Sequence, residues 1–255
     1  MHYGRQARED SVVPVLVLLG AVAALAVTAI AMRRRVAPRR ERRTARALTE
    51  AAHAVAPVAA ARDGDAQDAG SGSGALVHRR YEVRLVGTGH TVASICRLMH
   101  GHLAELAPSG FADFEKTRGD DDRLRAGDEY DITMLGPWNG RVRVAEVSEE
   151  HFTLVTLDGH PEAGHITFSA RDAEAEAETP GAPALHAVIE SWARARDGVV
   201  DAAYSTLGIG RQVQTEVWVT FLQRLATLAG VSGTPEVRIT TEELATPAAP
   251  PAVDA

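Results

Sequence analysis

Between residues 76 and 228 the apolar residues change period in a definite order, and that order narrows the possible folds more than any single motif does. Residues 76–86 alternate, with Val77, Tyr81, Val83 and Leu85 set against Arg80, Glu82 and Arg84, which predicts a strand. Over 90–106 the period becomes helical, through Val92, Ile95, Cys96, Met99, Leu103 and Leu106. Six short period-two segments follow at 111–117, 128–135, 141–147, 152–157, 165–170 and 185–195, separated by turn residues such as Gly136-Pro137 and Pro180-Gly181. From Val213 the helical period returns in Val213, Val217, Phe221, Leu225 and Leu228, with Gln214, Glu216, Gln223 and Arg224 on the other positions.

Six strands in series predict an antiparallel meander, and a curved sheet with one apolar face needs a helix across it. The expected class is therefore α+β, a helix-grip fold with a seven-stranded curved antiparallel sheet wrapped on a long C-terminal helix. Such a helix and sheet often leave a cavity between them for an apolar ligand. The residues expected to line it are Val213, Val217 and Phe221 on the helix, Ile189 and Ser191 on the last strand, and Tyr130. A solidly filled core is the alternative that periodicity leaves open. On the last strand, Glu190, Trp192 and Arg194 share one face and Ala187, Ile189, Ser191 and Ala193 the other. The small and apolar set is expected inward.

Upstream, residues 12–32 form an apolar run free of charge, long enough at about 1.5 Å per residue to cross roughly 30 Å of hydrocarbon. Arg33, Arg34, Arg35, Arg39, Arg40, Arg42, Arg43 and Arg46 follow it, whereas the short segment 1–11 before it is nearly neutral. This bias predicts a single-pass anchor in the cell membrane with the C-terminal side cytoplasmic. A cleaved secretory signal would carry its positive charge before the run, which favours retention. The arginine stem suits anionic lipid headgroups as partners. Outside the stem the chain sums to about −14, which argues against nucleic acid as a ligand. Residues 33–75 read as a basic stem and flexible linker, 76–229 as the domain and 230–255 as a disordered tail.

The densest cluster of chemistry-bearing residues is Thr156-Leu157-Asp158-Gly159-His160-Pro161-Glu162-Ala163-Gly164. It resembles the T-L-x-G-H-P-E-x-G signature of an uncharacterised bacterial and plant family, a domain of unknown function (the DUF nineteen-ninety family). The resemblance extends to Leu124-x-x-Gly127-Asp128, Gly136-Pro137, Arg211-x-x-Gln214 and Phe221-Leu222. Asp158 stands where that family usually has proline, and its Ser-Arg-Pro motif survives at most as Arg194 or Arg196. The family is grouped with the START-like, birch-allergen-like and polyketide-cyclase-like (SRPBCC) helix-grip proteins, which implies that fold and the binding of lipids or other bulky apolar molecules, with no established reaction.

Taken residue by residue, Gly159, Pro161 and Gly164 predict a rigid hairpin turn that holds His160 and Glu162. Those two side chains either bond the turn's own backbone or exchange protons at a pocket mouth, and Glu190 is the third acid–base candidate. Glu115 sits on a strand of unassigned parity. His100-Gly101-His102 points its imidazoles about 200° apart on a helix, so no metal site is expected. Neither Gly87-Thr88-Gly89 nor Gly208-Ile209-Gly210 completes a phosphate-binding fingerprint, the only lysine is Lys116, the only cysteine is Cys96, and no cofactor is expected. The leading expectation is a membrane-anchored binding protein for a hydrophobic small molecule or lipid. The alternatives are a cyclase- or hydrolase-like enzyme on an apolar substrate in the same cavity, and a non-catalytic docking module of a membrane assembly.

Overall fold

Strand alternation sets the architecture. The computed structural model describes residues 38–47, 64–120, 122–134, 139–173, 183–198 and 209–245. Its elements are β1 (Arg39–Ala47), β2 (Ser73–Val86), α1 (Val92–Gly101), α2 (Leu103–Leu106), β3 (Ala112–Arg118), β4 (Glu129–Met134), β5 (Gly140–Val147), β6 (His151–Thr156), β7 (Glu162–Asp172), β8 (Ala184–Ala195), α3 (Ile209–Leu228) and β9 (Val237–Ala245). They form one nine-stranded sheet in the order β1-β9-β2-β8-β7-β6-β5-β4-β3. The predicted meander from β3 to β8 is present, and β2 joins it antiparallel through β8. Such a sheet with a long helix against it is α+β and consistent with the helix grip.

Parity decides which face is buried. Tyr81, Val83 and Leu85 of β2, Ala187 and Ile189 of β8, Phe168 of β7 and Phe152 of β6 enter one core with Val217, Trp218, Phe221, Leu222 and Leu225 of α3. Phe168 is its hub: its ring stacks on Phe152 at 4.6 Å and meets Trp218 at 5.4 Å and Phe221 at 5.5 Å. The start of α1 is fixed by a capping box, in which Thr91 accepts from the Ser94 amide and Ser94 from the Thr91 amide. Gly101 ends α1, and His100 and His102 part company: His100 meets the Phe152 ring edge-on, while His102 pairs with Glu105.

Three expectations need correction. The sheet has nine strands instead of seven, because part of the expected stem forms β1 and part of the expected tail forms β9, so α3 is not the terminal element. The two pair in parallel, Arg39 beside Val237 through to Ala47 beside Ala245. Charge on both faces of an edge strand hides the alternation that periodicity detects, whereas β9 does turn Val237 and Ile239 inward. Second, the end of the expected linker is packed. Ala66 bridges Leu157, Gln67 and Ala69 are buried, and Asp65 takes both terminal nitrogens of Arg143 at 2.8 and 2.9 Å. Third, Glu216, one of the positions off the apolar stripe of α3, is nonetheless turned into the protein: it is buried and accepts a forked pair of bonds from Arg39 of β1 at 2.5 and 3.1 Å. The segment 12–32 lies outside the described residues, as do Gly136-Pro137 and Pro180-Gly181. Among the described residues, no helix is long and apolar enough to cross a membrane.

Because Phe168 touches three other aromatic rings and has no exposed surface, Phe168→Ala is expected to destabilise the domain by about 3–5 kcal/mol. Urea unfolding of the full chain, followed by tryptophan fluorescence, measures the loss.

Candidate functional site

At one end of the sheet–helix interface the apolar pattern is broken. Arg79 lies on the inward parity of β2, two residues before Tyr81, and is buried. Its Nη1 donates to the Gln214 side-chain oxygen on α3, and Gln214 Nε2 donates to Glu162 Oε2 at 2.9 Å. A cation and a carboxylate are thus joined through one neutral amide. The Tyr81 hydroxyl lies beside Arg79 and Thr215 and within the field of Glu162, and burial raises its pKa. Burial likewise pushes the Glu162 carboxyl above its ordinary range, with Arg79 and Gln214 pulling the other way. A carboxyl held toward its protonated form beside a buried phenol and guanidinium can donate a hydrogen bond, accept a proton or grip a polar head.

Behind this cluster stands the glycine-bounded turn, and its residues divide by role. The Thr156 hydroxyl donates to the Gln67 carbonyl at 2.7 Å and accepts from the Gly164 amide at 3.0 Å. A Cβ on Gly164 would collide with the Trp192 carbonyl, so only glycine lets β7 approach β8 there. His160 is buried and uses Nδ1 on the backbone of Glu162, whose amide donates to it at 3.0 Å. Its ring packs against Gly140 so closely that no side chain fits there. Desolvation lowers the His160 pKa to about 4, so the imidazole is neutral at pH 7. His160 therefore belongs to the turn, whereas Glu162 sends its side chain to α3.

The remaining sequence candidates are distributed unevenly. Ser191 and Ile189 are the cross-strand partners of Arg79 and Tyr81, and Val213 and Val217 flank Gln214 along α3. All four are buried around the polar cluster. Phe221 lies one turn further along α3, beside Phe168. Tyr130 is buried in the same core but sits on β4, near the other edge of the sheet, where it meets Phe114 edge-on at 6.5 Å. Glu190 turns away from α3 with Trp192. It bonds His78 Nε2 at 2.6 Å, and that bond draws its pKa down. Glu115 is exposed on β3; Lys116 pairs with Asp128 at 2.8 Å; Cys96 is buried, its thiol pKa pushed up to about 11 by desolvation.

Sequence reading missed Arg79, Tyr81, Gln214 and Thr215 as site residues. The signal existed for Arg79, which falls on the inward parity between Val77 and Tyr81. For Gln214 the only signal was its place in the Arg211-x-x-Gln214 resemblance, because by pattern alone polar residues on an amphipathic helix read as solvent-facing.

No family model matches the chain, and no curated protein matches it. Among solved structures, a norcoclaurine synthase point mutant from Thalictrum flavum in complex with a transition-state analogue is similar at 12% identity over 62% of this chain and 96% of that one, with a TM-score of 0.35. Ara h 8.0201 is similar at 12% identity over 55% of this chain and 98% of its own, TM-score 0.29. Protein Ms6760 from Mycobacterium smegmatis is similar at 12% identity over 59% and 91%, TM-score 0.33.

The two perturbed groups have opposite signatures in stability against pH. Glu162, with its folded pKa raised from 4.5, stabilises the fold most below that value and loses this contribution as the pH climbs through the raised pKa. Glu162→Gln is expected to flatten that decline in urea titrations from pH 4 upward. His160, lowered from 6.5 to about 4, favours the fold above pH 6.5 and loses on the order of 3 kcal/mol as the pH falls through that window. His160→Gln is expected to remove this acid step, measured as the difference between the two proteins' unfolding free energies at pH 7 and pH 4.

Proposed function

We propose that this is a single-pass membrane protein whose cytoplasmic helix-grip domain binds an amphiphile. The apolar body would lie between the sheet and α3, with an acidic head against Arg79. One observation carries the reading: Arg79 and Tyr81 of β2, Glu162 of β7 and Gln214 of α3 form a polar cluster within the largely apolar interface between the sheet and α3. Ionisable groups are costly to bury, and apolar residues of similar size at such positions are often neutral or stabilising. A fold that needed only packing has no use for them. Arg79 commits one donor to Gln214, and a guanidinium has five, so its fork remains suited to a carboxylate or phosphate. The run 12–32 supports anchoring, and an anchored domain meets bilayer-dissolved ligands at a raised effective concentration. The Thr156–Gly164 signature supports kinship with the uncharacterised helix-grip family.

A second reading has its own support, the raised pKa of Glu162. A carboxyl whose pKa is raised by burial, in the field of Tyr81, is the equipment of general acid–base chemistry on a bound apolar substrate. His160, locked in its turn, and Glu190, on the opposite face, do not share in it.

The test uses the full chain in detergent-free nanodiscs and a dansyl-labelled long-chain fatty acid. Saturable binding is expected, weakened about tenfold or more by Arg79→Leu, because a charge-assisted hydrogen bond is worth about 1.5–3 kcal/mol. The corresponding fatty alcohol should bind wild type and variant alike. A wild-type protein that takes up no probe, and that native mass spectrometry repeatedly finds empty, overturns the binding reading.

A further inference from the structure

The face of the sheet turned away from α3 has a charge pattern that the ligand site does not use. Register places Arg40 of β1, Arg238 of β9 and Glu82 of β2 side by side on it. The row on one side holds Arg42, Thr240, Arg80 and Glu190, and the row on the other holds Arg84, His186 and Arg171. Opposite charges stand at different heights. The Glu82 side chain is only 10% exposed and lies beneath its partners, with Arg80 at 2.9 Å, Arg171 at 3.2 Å, His186 at 2.5 Å and Arg238 at 3.7 Å. The side chains of Arg238 and Arg171 are 58% and 46% exposed, and Arg40 and Arg42 are exposed on the edge strand. Over β1, β9, β2 and β8 the other carboxylates of the face, Glu190 and Glu242, flank His78, and Glu190 also approaches Arg80, whereas the far end of the same face, on β3 to β5, carries Asp113, Glu115, Asp131 and Glu146 exposed. Anything approaching the β1–β9–β2 end of the face therefore meets the guanidinium groups of Arg40, Arg42 and Arg238 first, on a chain whose net charge is −7.

We propose that the β1–β9–β2 end of this face is a docking surface for a bilayer containing anionic phospholipids, an inference that rests on the anchoring of residues 12–32. Chain length favours a membrane over any other polyanion. β1 begins at Arg39, seven residues after Met32, and seven extended residues reach at most about 25 Å. Three of them are Arg33, Arg34 and Arg35. An anchored chain thus holds the arginine-bearing edge strand close to the headgroups, within the range where juxtamembrane cations act. Docking would lay the β1–β9–β2 end of the outer face on the surface and leave α3 on the far side.

The test is fluorescence transfer to a headgroup-labelled lipid from a dye on Ser169→Cys, on the outward side of β7, or on Thr227→Cys, exposed on α3. Cys96 is buried and leaves the label to the introduced thiol. The full chain is reconstituted in phosphatidylcholine vesicles with or without about 30% phosphatidylglycerol. Transfer from position 169 is expected to rise about twofold in anionic vesicles, to fall back between about 0.1 M and 0.5 M salt, and to change little from position 227. Combined Arg40→Glu, Arg42→Glu and Arg238→Glu should abolish the rise. The matching lysine variants should retain it, which separates charge from folding. Equal transfer in the two vesicle types, or a rise from both positions alike, overturns the proposal, as does retention of duplex DNA in place of lipid. If alkaline carbonate strips the chain from vesicles, the anchoring reading falls on its own. Salt-sensitive cosedimentation of the same chain with phosphatidylglycerol vesicles then supports docking, and its absence overturns it.

Discussion

The packing of α3 against the inner face of the sheet is the constraint from which the rest follows, and Phe168 shows why. One ring in the middle of β7 touches Phe152 on β6 and both Trp218 and Phe221 on α3. Rings this size bury large areas and hold defined geometries, so the helix has little freedom to slide or rotate. Once α3 is placed, the parity of every strand beneath it is determined. A one-residue slip would turn a strand's inward residues to the outer face and its outward residues toward α3. The orientations of Arg79, Glu162 and Gln214 are consequences of that register.

A cation and a carboxylate inside such an interface need an explanation beyond stability. Arg79 and Glu162 are not paired directly; Gln214 stands between them and satisfies one valence of each. The arrangement keeps the two charges in each other's field while leaving hydrogen-bonding capacity on both, unlike the Arg39–Glu216 fork, which consumes its partners. The contrast separates two kinds of buried ion in one helix turn. Glu216 fastens an edge strand, whereas the Gln214 amide holds groups that still have something to offer.

Legibility in the sequence followed the strength of periodicity. From β2 through α3 the elements are where the alternation puts them, because one side of each strand is apolar and the other polar. The inward assignment of Ile189 and Ser191 followed from that same alternation, and both neighbour the polar cluster. β1 was invisible since Arg39 and Glu41 point one way while Arg40 and Arg42 point the other, which leaves no apolar face to detect. Residues 64–72 were illegible for a different reason: their order comes from contacts far along the chain, Asp65 with Arg143 and Gln67 with the 156–164 turn. Glu216 misled because a charged residue on an amphipathic helix reads as solvent-facing unless its distant partner is known.

The glycine-bounded turn shows how a dense motif can be mostly architectural. Of its polar side chains, Thr156 and His160 bond backbone within or beside the turn. Gly164 admits the neighbouring strand. All of this effort fixes the start of β7, whose first residue is Glu162. A strand terminus would ordinarily fray, and a frayed Glu162 would swing its carboxyl toward water and relax toward an ordinary pKa. Rigidity in the turn is therefore what allows a single carboxyl at the end of a strand to remain under α3 beside Gln214. Of the motif's side chains it is Glu162 that reaches α3, and the other members hold the turn from which it extends.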